Sequence, residues 1–192
     1  MKALNKQILP DSTSMTNASV DEWVIRAQKG AEDAMSYLYL NHYQRIYRYL
    51  YYRAGDTQTA EDLTSEVFLK MVQALPRYRL QNIPFQAWLF QIARNLAIDH
   101  HRKHESHPDV EMPEDLKEDG QSLDEDLEIK LTSDLLSGAL NKLTDDQRDV
   151  ILLRFVDGMS LAQVAQVLHR SEDSVKGLQR RALISLRQTL VR

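Results

Sequence analysis

Apolar side chains recur every three or four residues through most of this chain and rarely alternate, which predicts helices and leaves little room for strands. Ser19, with Glu22 three residues on, makes a capping box that opens a first helix carrying Trp23 and Val24 and stopping near Gly30. Met35, Leu38, Tyr39, His42, Tyr43, Ile46, Tyr47 and Leu50 form the stripe of a long second helix ending near Gly55. Ala60, Leu63, Val67, Met71 and Leu75 mark a third, stopped by Pro76. After a polar loop from Arg77 to Ile83, Pro84 suits the first position of a fourth helix. Its expected inner face is Phe85, Trp88, Leu89, Ile92, Ala93 and Leu96, and it runs out in His100, His101, Arg102 and Lys103.

The period then disappears. From Glu105 to about Gly120 there are two prolines and no apolar repeat. It returns where Ser122 with Glu125 opens a helix carrying Leu127, Leu131, Leu135, Ala139 and Leu143. Thr144 with Gln147 opens another, through Val150, Ile151, Leu153 and Phe155, closed by Asp157-Gly158. Ser160 with Gln163 caps a short helix to Leu168, and Ser171 caps the last, to Leu190. The expected fold class is all-α, with two small helical domains. The expected divisions are a tail over 1–18, a four-helix bundle over 19–104, an acidic linker over 105–121 and a second helical domain over 122–192.

Charge sharpens this division. The net charge is −4, yet residues 105–134 hold 12 acidic and 2 basic side chains, while the bodies on either side are each about +3. Such a block reads as a solvated strap rather than core. The absence of cysteine among the 192 residues excludes a disulfide framework, thiolate zinc sites and a cysteine nucleophile, and fits a reducing compartment. No apolar run approaches the roughly 18 residues that span a bilayer, and the start lacks an apolar leader, so a cytoplasmic protein without membrane insertion is expected. His100 and His104 stand at i and i+4, but His100, His101, His104 and His107 are interleaved with Arg102 and Lys103 and have no matching carboxylate motif. Asp124-Glu125-Asp126 lacks the glycine and spacing of a calcium loop. No metal, cofactor or catalytic residue is expected, and an enzyme is not the expectation.

The most specific local signal is the tandem Ser160–Leu168 and Ser171–Leu186: a short capped helix, a break at His169-Arg170, and a second capped helix. This is helix-turn-helix spacing, in which the start of the second helix meets base edges in the major groove. The residues so placed are Ser171, Glu172, Asp173, Ser174, Lys176 and Gly177, followed by Gln179, Arg180 and Arg181. Glu can accept from cytosine, Gln can pair with adenine, and Lys or Arg reach guanine edges or phosphates. A plain helical hairpin with a solvated basic face remains the competing reading. In the first body, Tyr78, Arg79, Gln81, Asn82, Phe85 and Trp88 gather aromatics, amides and a guanidinium around one loop, the chemistry that captures unstacked bases. Trp88 is expected inward by its spacing. A net-acidic chain neutralises few phosphates by itself, so a partner is implied.

Two stretches, AEDLTSEVFLKMVQAL (60–75) and PFQAWLFQIARNLAIDHHRK (84–103), resemble region 2 of bacterial sigma factors of the extracytoplasmic-function (ECF) class. The stretch from Leu143 to Leu190 resembles their region 4, and together the two cover about three quarters of the chain. The resemblance implies an alternative sigma factor that directs RNA polymerase core to promoters and assists their melting. It implies that the 60–75 helix docks on the β′ clamp helices through Glu61, Asp62, Ser65, Glu66 and Gln73, and that region 4 meets the β flap. The −10 element would be held by Arg79, Gln81, Asn82, Arg94, Asn95, His100 and Arg102, and the −35 element by Ser171 to Arg181. Promoter DNA and an anti-sigma factor are the other partners implied, and the acidic strap would suit the positively charged polymerase cleft. Two departures stand out: His169 occupies the turn position often held by Gly, and Leu178 stands where many relatives have Arg. The alternatives in other classes are an autonomous, dimeric helix-turn-helix regulator and a helical interaction protein without DNA function.

Overall fold

The computed structural model describes residues 19–80, 83–106 and 136–190. Within them the chain forms helices α1 (Val20–Gln28), α2 (Glu32–Ala54), α3 (Thr57–Ala74), α4 (Phe85–Ser106), α5 (Asp145–Ile151), α6 (Leu161–Leu168) and α7 (Glu172–Leu190). A 3₁₀ turn at Leu75–Arg77 follows α3, a π turn at Leu152–Val156 extends α5, and residues 136–140 are helical. There is no strand among the described residues.

The local signals explain the boundaries. Ser19 Oγ accepts from the Glu22 amide while the Glu22 carboxylate accepts from the Ser19 amide, closing the capping box of α1. Gly55 ends α2 in the left-handed conformation (φ 89°), and Asp56 caps α3 by accepting from the Thr59 amide at 2.8 Å. Ser160 and Gln163 form the box that starts α6. Ser171 Oγ accepts from the Ser174 amide at the start of α7. The tail over 1–18, the linker from 107 onward and the expected helix over 122–135 lie outside the described residues, and α4 runs to Ser106, past the expected boundary at 104.

The first four helices enclose a core in which Leu38, Ile46, Leu50, Val67, Met71, Leu75, Phe85 and Leu89 are fully buried. The α3 stripe is inward as its spacing predicts. On α2 the inner line is Leu38, His42, Ile46, Tyr49, Leu50 and Arg53, whereas Tyr39 of the expected stripe is largely exposed. Tyr43, Tyr47 and Tyr51 stack along its flank, with ring centroids 6.3 and 6.2 Å apart. Trp88 is half-buried at the edge of the core, not within it, and lies 4.6 Å from the Tyr78 ring. Residues from 139 onward form a second core around Leu140, Val150, Leu153, Val164, Val175 and Ala182.

The two bodies are in contact. On α4 the stripe Phe85, Leu89, Ala93 and Leu96 is buried, and so is a second line, Ala87, Phe90 and Ala97, at the same helical period. Arg94 falls on that second line and, with Gln86 and Gln91, bonds to the C-terminal body. The buried apolar residues of both bodies therefore form one continuous cluster.

Candidate nucleic-acid interface

The helix-turn-helix is built as its spacing requires. The Arg170 amide bonds back to the Ala165 carbonyl at 2.9 Å, and His169 takes the left-handed turn position (φ 51°, ψ 45°). Histidine tolerates this conformation better than most residues, so the turn survives without Gly. Ala165, Val175, Leu178 and Ala182 are buried, which places Leu178 on the packing face of α7, not its reading face. Ser171, Glu172, Asp173, Lys176, Arg180 and Arg181 are exposed, and Ser174, Gly177 and Gln179 are partly so. Asp173 accepts from Lys176 Nζ at 3.0 Å and holds that ammonium above its usual pKa. Arg154 Nε donates to Gln179 Oε1 at 3.4 Å. A Cβ added at Gly177 would meet nothing but the far end of Arg181, at 3.4 Å, so the fold itself does not require glycine there.

The loop after α3 is fastened at both ends. Gln28 Nε2 of α1 donates to the Leu75 and Tyr78 carbonyls at 2.9 and 2.7 Å. The Tyr78 hydroxyl donates to the Ile83 carbonyl at 2.6 Å, drawing the two ends of the loop together. Burial, with a contribution from Asp21, pushes the Tyr78 phenol up to about 12, so it stays a donor. Tyr78 is thus a buried clasp, not the exposed stacking platform its sequence position suggested. Arg79 is exposed, while Gln81 and Asn82 lie outside the described residues. Asn95 is exposed on α4 and lines a groove of about 520 Å³ together with Gln73, Arg77 and Trp88. His100 is half-buried and Arg102 exposed, farther along the same helix.

On α3, Glu61, Asp62, Ser65, Glu66 and Gln73 all face solvent. Between them stand Leu69, 58% exposed, and Val72, 46% exposed. Sequence reasoning passed over this apolar pair because both lie off the core stripe; large aliphatic residues off the stripe were the available signal.

Arg94 is placed differently from its expected role. Its Nε donates to Asp149 Oδ2 at 2.8 Å and its Nη2 to Asp146 Oδ1 at 2.9 Å. Asp149 is fully buried and accepts from the Tyr49 hydroxyl at 2.8 Å, while Arg53 Nε lies 3.6 Å away. Arg53 Nη1 donates to Asp145 Oδ1 at 2.7 Å. Burial pushes the Asp149 carboxyl up, against the opposing pull of Arg53 and Arg94. Burial by itself would lower the two guanidiniums, but Asp149 together with Tyr49 and Asp145 at Arg53, and together with Tyr49 and Asp146 at Arg94, holds both above their ordinary value. Farther along, Arg45 forks onto both carboxylate oxygens of Asp157 at 2.7 and 2.9 Å, and Gln86 Nε2 donates to Asp157 Oδ2 at 2.6 Å. Arg48 Nη2 donates to the Val156 carbonyl and Gln91 Nε2 to that of Gln166, covering acceptors near helix C-termini. The sequence signal for this seam was a second stripe: Arg45, Tyr49 and Arg53 on α2, and Ala87, Phe90, Arg94 and Ala97 on α4.

Where the bodies meet, Arg77, Arg79, Trp88, Gln166, Arg170 and Glu172 line a cleft of about 760 Å³. That is the size of a small-molecule pocket, too small for duplex DNA. Among the described residues no group of three or more His, Asp or Glu side chains could hold a metal ion. Among them, too, no helix is long and apolar enough to cross a membrane.

Comparison with known proteins agrees with this geometry. The family model described as Sigma-70 region 2 matches residues 38–107, and that described as Sigma-70, region 4 matches residues 139–188. The ECF RNA polymerase sigma factor BldN of Streptomyces coelicolor is 38% identical over 176 residues, covering 91% of this chain and 67% of that protein. The ECF RNA polymerase sigma factor SigX of Bacillus subtilis is 32% identical over 164 residues, covering 82% and 84% respectively. The solved structure of CnrH in complex with the cytosolic domain of CnrY has the same fold, with a TM-score of 0.71 at 24% identity, covering 90% of this chain and 97% of CnrH. With both regions present in order and relatives of this closeness along most of its length, the chain belongs to the ECF class of sigma-70 family RNA polymerase sigma factors.

Proposed function

We propose that this chain directs RNA polymerase core to its own set of promoters by dividing DNA recognition between its two bodies. The observation that carries this reading is the pairing, on one chain, of an exposed helix-turn-helix reading end with a clasped polar loop in the other body. Region 4 takes the −35 duplex through Ser171 to Arg181: Glu172 and Gln179 offer base-edge contacts, and Lys176, Arg180 and Arg181 neutralise phosphates. Region 2 takes the −10 element through Arg79, Gln81, Asn82, Asn95, His100 and Arg102. Unpaired bases bind there and duplex does not, so melting is favoured by mass action on the open strand, without any chemical step by this chain.

The outer face of α3 is the docking surface for the β′ clamp helices. Leu69 and Val72 supply its apolar centre, and Glu61, Asp62, Ser65, Glu66 and Gln73 its polar rim. Region 4 seats on the β flap. The sigma factor RpoE of Bartonella quintana is solved in complex with the anti-sigma factor NepR, and an anti-sigma factor is the partner proposed to control this chain. Its place of action is the cytoplasm, with the polymerase.

Run-off transcription with bacterial core polymerase on a library of promoter variants tests this reading. The expected result is chain-dependent RNA from a subset of templates sharing a −35 and −10 pair. Transcripts that do not depend on the added chain, or the absence of any, would overturn it.

A further inference from the structure

The seam between the bodies carries a row of ion pairs beside its buried apolar line. We propose that Arg45, Arg48, Arg53 and Arg94 form a second phosphate-binding row, which takes a nucleic-acid backbone when the C-terminal body swings away. In the closed chain, Asp145, Asp146, Asp149 and Asp157 occupy that row as internal stand-ins for phosphates.

Three observations converge on this. First, the contacts are those a guanidinium makes with an oxyanion. Arg45 forks onto both oxygens of Asp157, Arg94 spans Asp146 and Asp149, and Arg53 lies between Asp145 and Asp149. The same planar fork fits carboxylate and phosphate alike. Second, Arg45, Tyr49 and Arg53 lie on one face of α2, and at 1.5 Å per residue the two arginines are about 12 Å apart along the axis. That is roughly three to four steps of a nucleic-acid strand at about 3.4 Å each. Third, a seam meant to stay shut is cheaper to build from apolar groups, because burying ion pairs costs desolvation that their attraction seldom repays by much. Here Arg53 and Asp149 are buried with side chains 2% and 0% exposed. The ion pairs therefore hold the seam less firmly than an all-apolar contact would, and they leave charged side chains on both faces when it opens. Arg94 cannot hold Asp149 and a phosphate together, so closure and nucleic-acid binding exclude one another.

The test uses the full chain, a fluorescein-labelled mixed-sequence oligonucleotide (single-stranded and duplex arms) and small-angle scattering. Asp157→Arg sets two cations face to face at the Arg45 fork. It should enlarge the radius of gyration and tighten binding of both probes by about tenfold or more at low salt. The charge swap Arg45→Asp with Asp157→Arg rebuilds the pair reversed, and should restore wild-type size and weak binding. Glu32→Arg, the same change of charge on an exposed residue outside the seam, should leave both near wild type. Adding Arg48→Ala and Arg53→Ala to Asp157→Arg should remove the gain. Should Asp157→Arg fail to fold, Asp149→Asn carries the same comparison. The proposal is overturned if the opened variants bind no tighter, if the gain survives loss of Arg48 and Arg53, or if Glu32→Arg gains equally. Run-off activity of the wild-type chain is read separately, so loss of the promoter reading and loss of this one are distinguishable.

Discussion

His42 sits in the α2 core, 5% exposed, against the edge of Phe85 at 5.2 Å and with no hydrogen-bond partner at Nδ1. Burial, reinforced by Arg45 one turn on, lowers its pKa from 6.5 to about 4. The folded state therefore refuses a proton that the unfolded chain accepts, and this group's contribution is present above pH 6.5 and lost as pH falls toward about 4. A shift of that size corresponds to about 3 kcal/mol. Urea unfolding at pH 7.5 and at pH 5 should show stability falling on the acid side, and His42→Leu should flatten that fall; an unchanged slope would place the histidine in contact with water. Such a feature was half legible beforehand. Spacing put His42 on the inner stripe one turn from Arg45, but its lack of a partner and its contact with Phe85 depend on how α2 meets α4.

At the scale of elements, the caps were readable because they are local. Ser19–Glu22, Ser160–Gln163 and Ser171–Ser174 each close over three residues, so the chain alone specifies them. Gly177 is a local cost without a local reason: glycine inside a helix costs about 1 kcal/mol against alanine, and the space around it is open but for Arg181. Gly177→Ala should therefore raise thermal stability by about 1 kcal/mol while weakening −35 binding in the holoenzyme. Lys176→Ala and Arg181→Ala should each reduce the salt slope of that binding by about 1. A stabilised Gly177→Ala protein with full promoter affinity would remove Gly177 from the contact. Trp88 and Tyr78 show the limit of reading one element at a time. A period assigns a face but not how far the neighbouring turn covers it, so Trp88 came out at the rim and Tyr78 inside.

In the whole molecule, the two bodies expected as separate domains share one seam. Region 4 alone is small for an independent core, and its apolar cluster is continuous with that of region 2. Breaking one partner of a buried pair such as Arg94–Asp149 costs about 3–5 kcal/mol. Calorimetry of the free wild-type chain should accordingly show one unfolding transition, and Asp157→Arg should split it into two, with the region 4 helices melting first. Two transitions in the wild type would mean the seam contributes little in solution. What the amino-acid order determined by itself was set within a few residues: the helix spans among the described residues, their caps, the helix-turn-helix turn at His169, the core stripe of α3 and the order of the two regions. What the tertiary structure alone decided was the pairing of Arg45, Arg53 and Arg94 with acids 52 to 112 positions away. Charged residues at helical spacing look the same whether water, a phosphate or a carboxylate faces them. Their partner is fixed by how helices pack across a gap that no local pattern encodes.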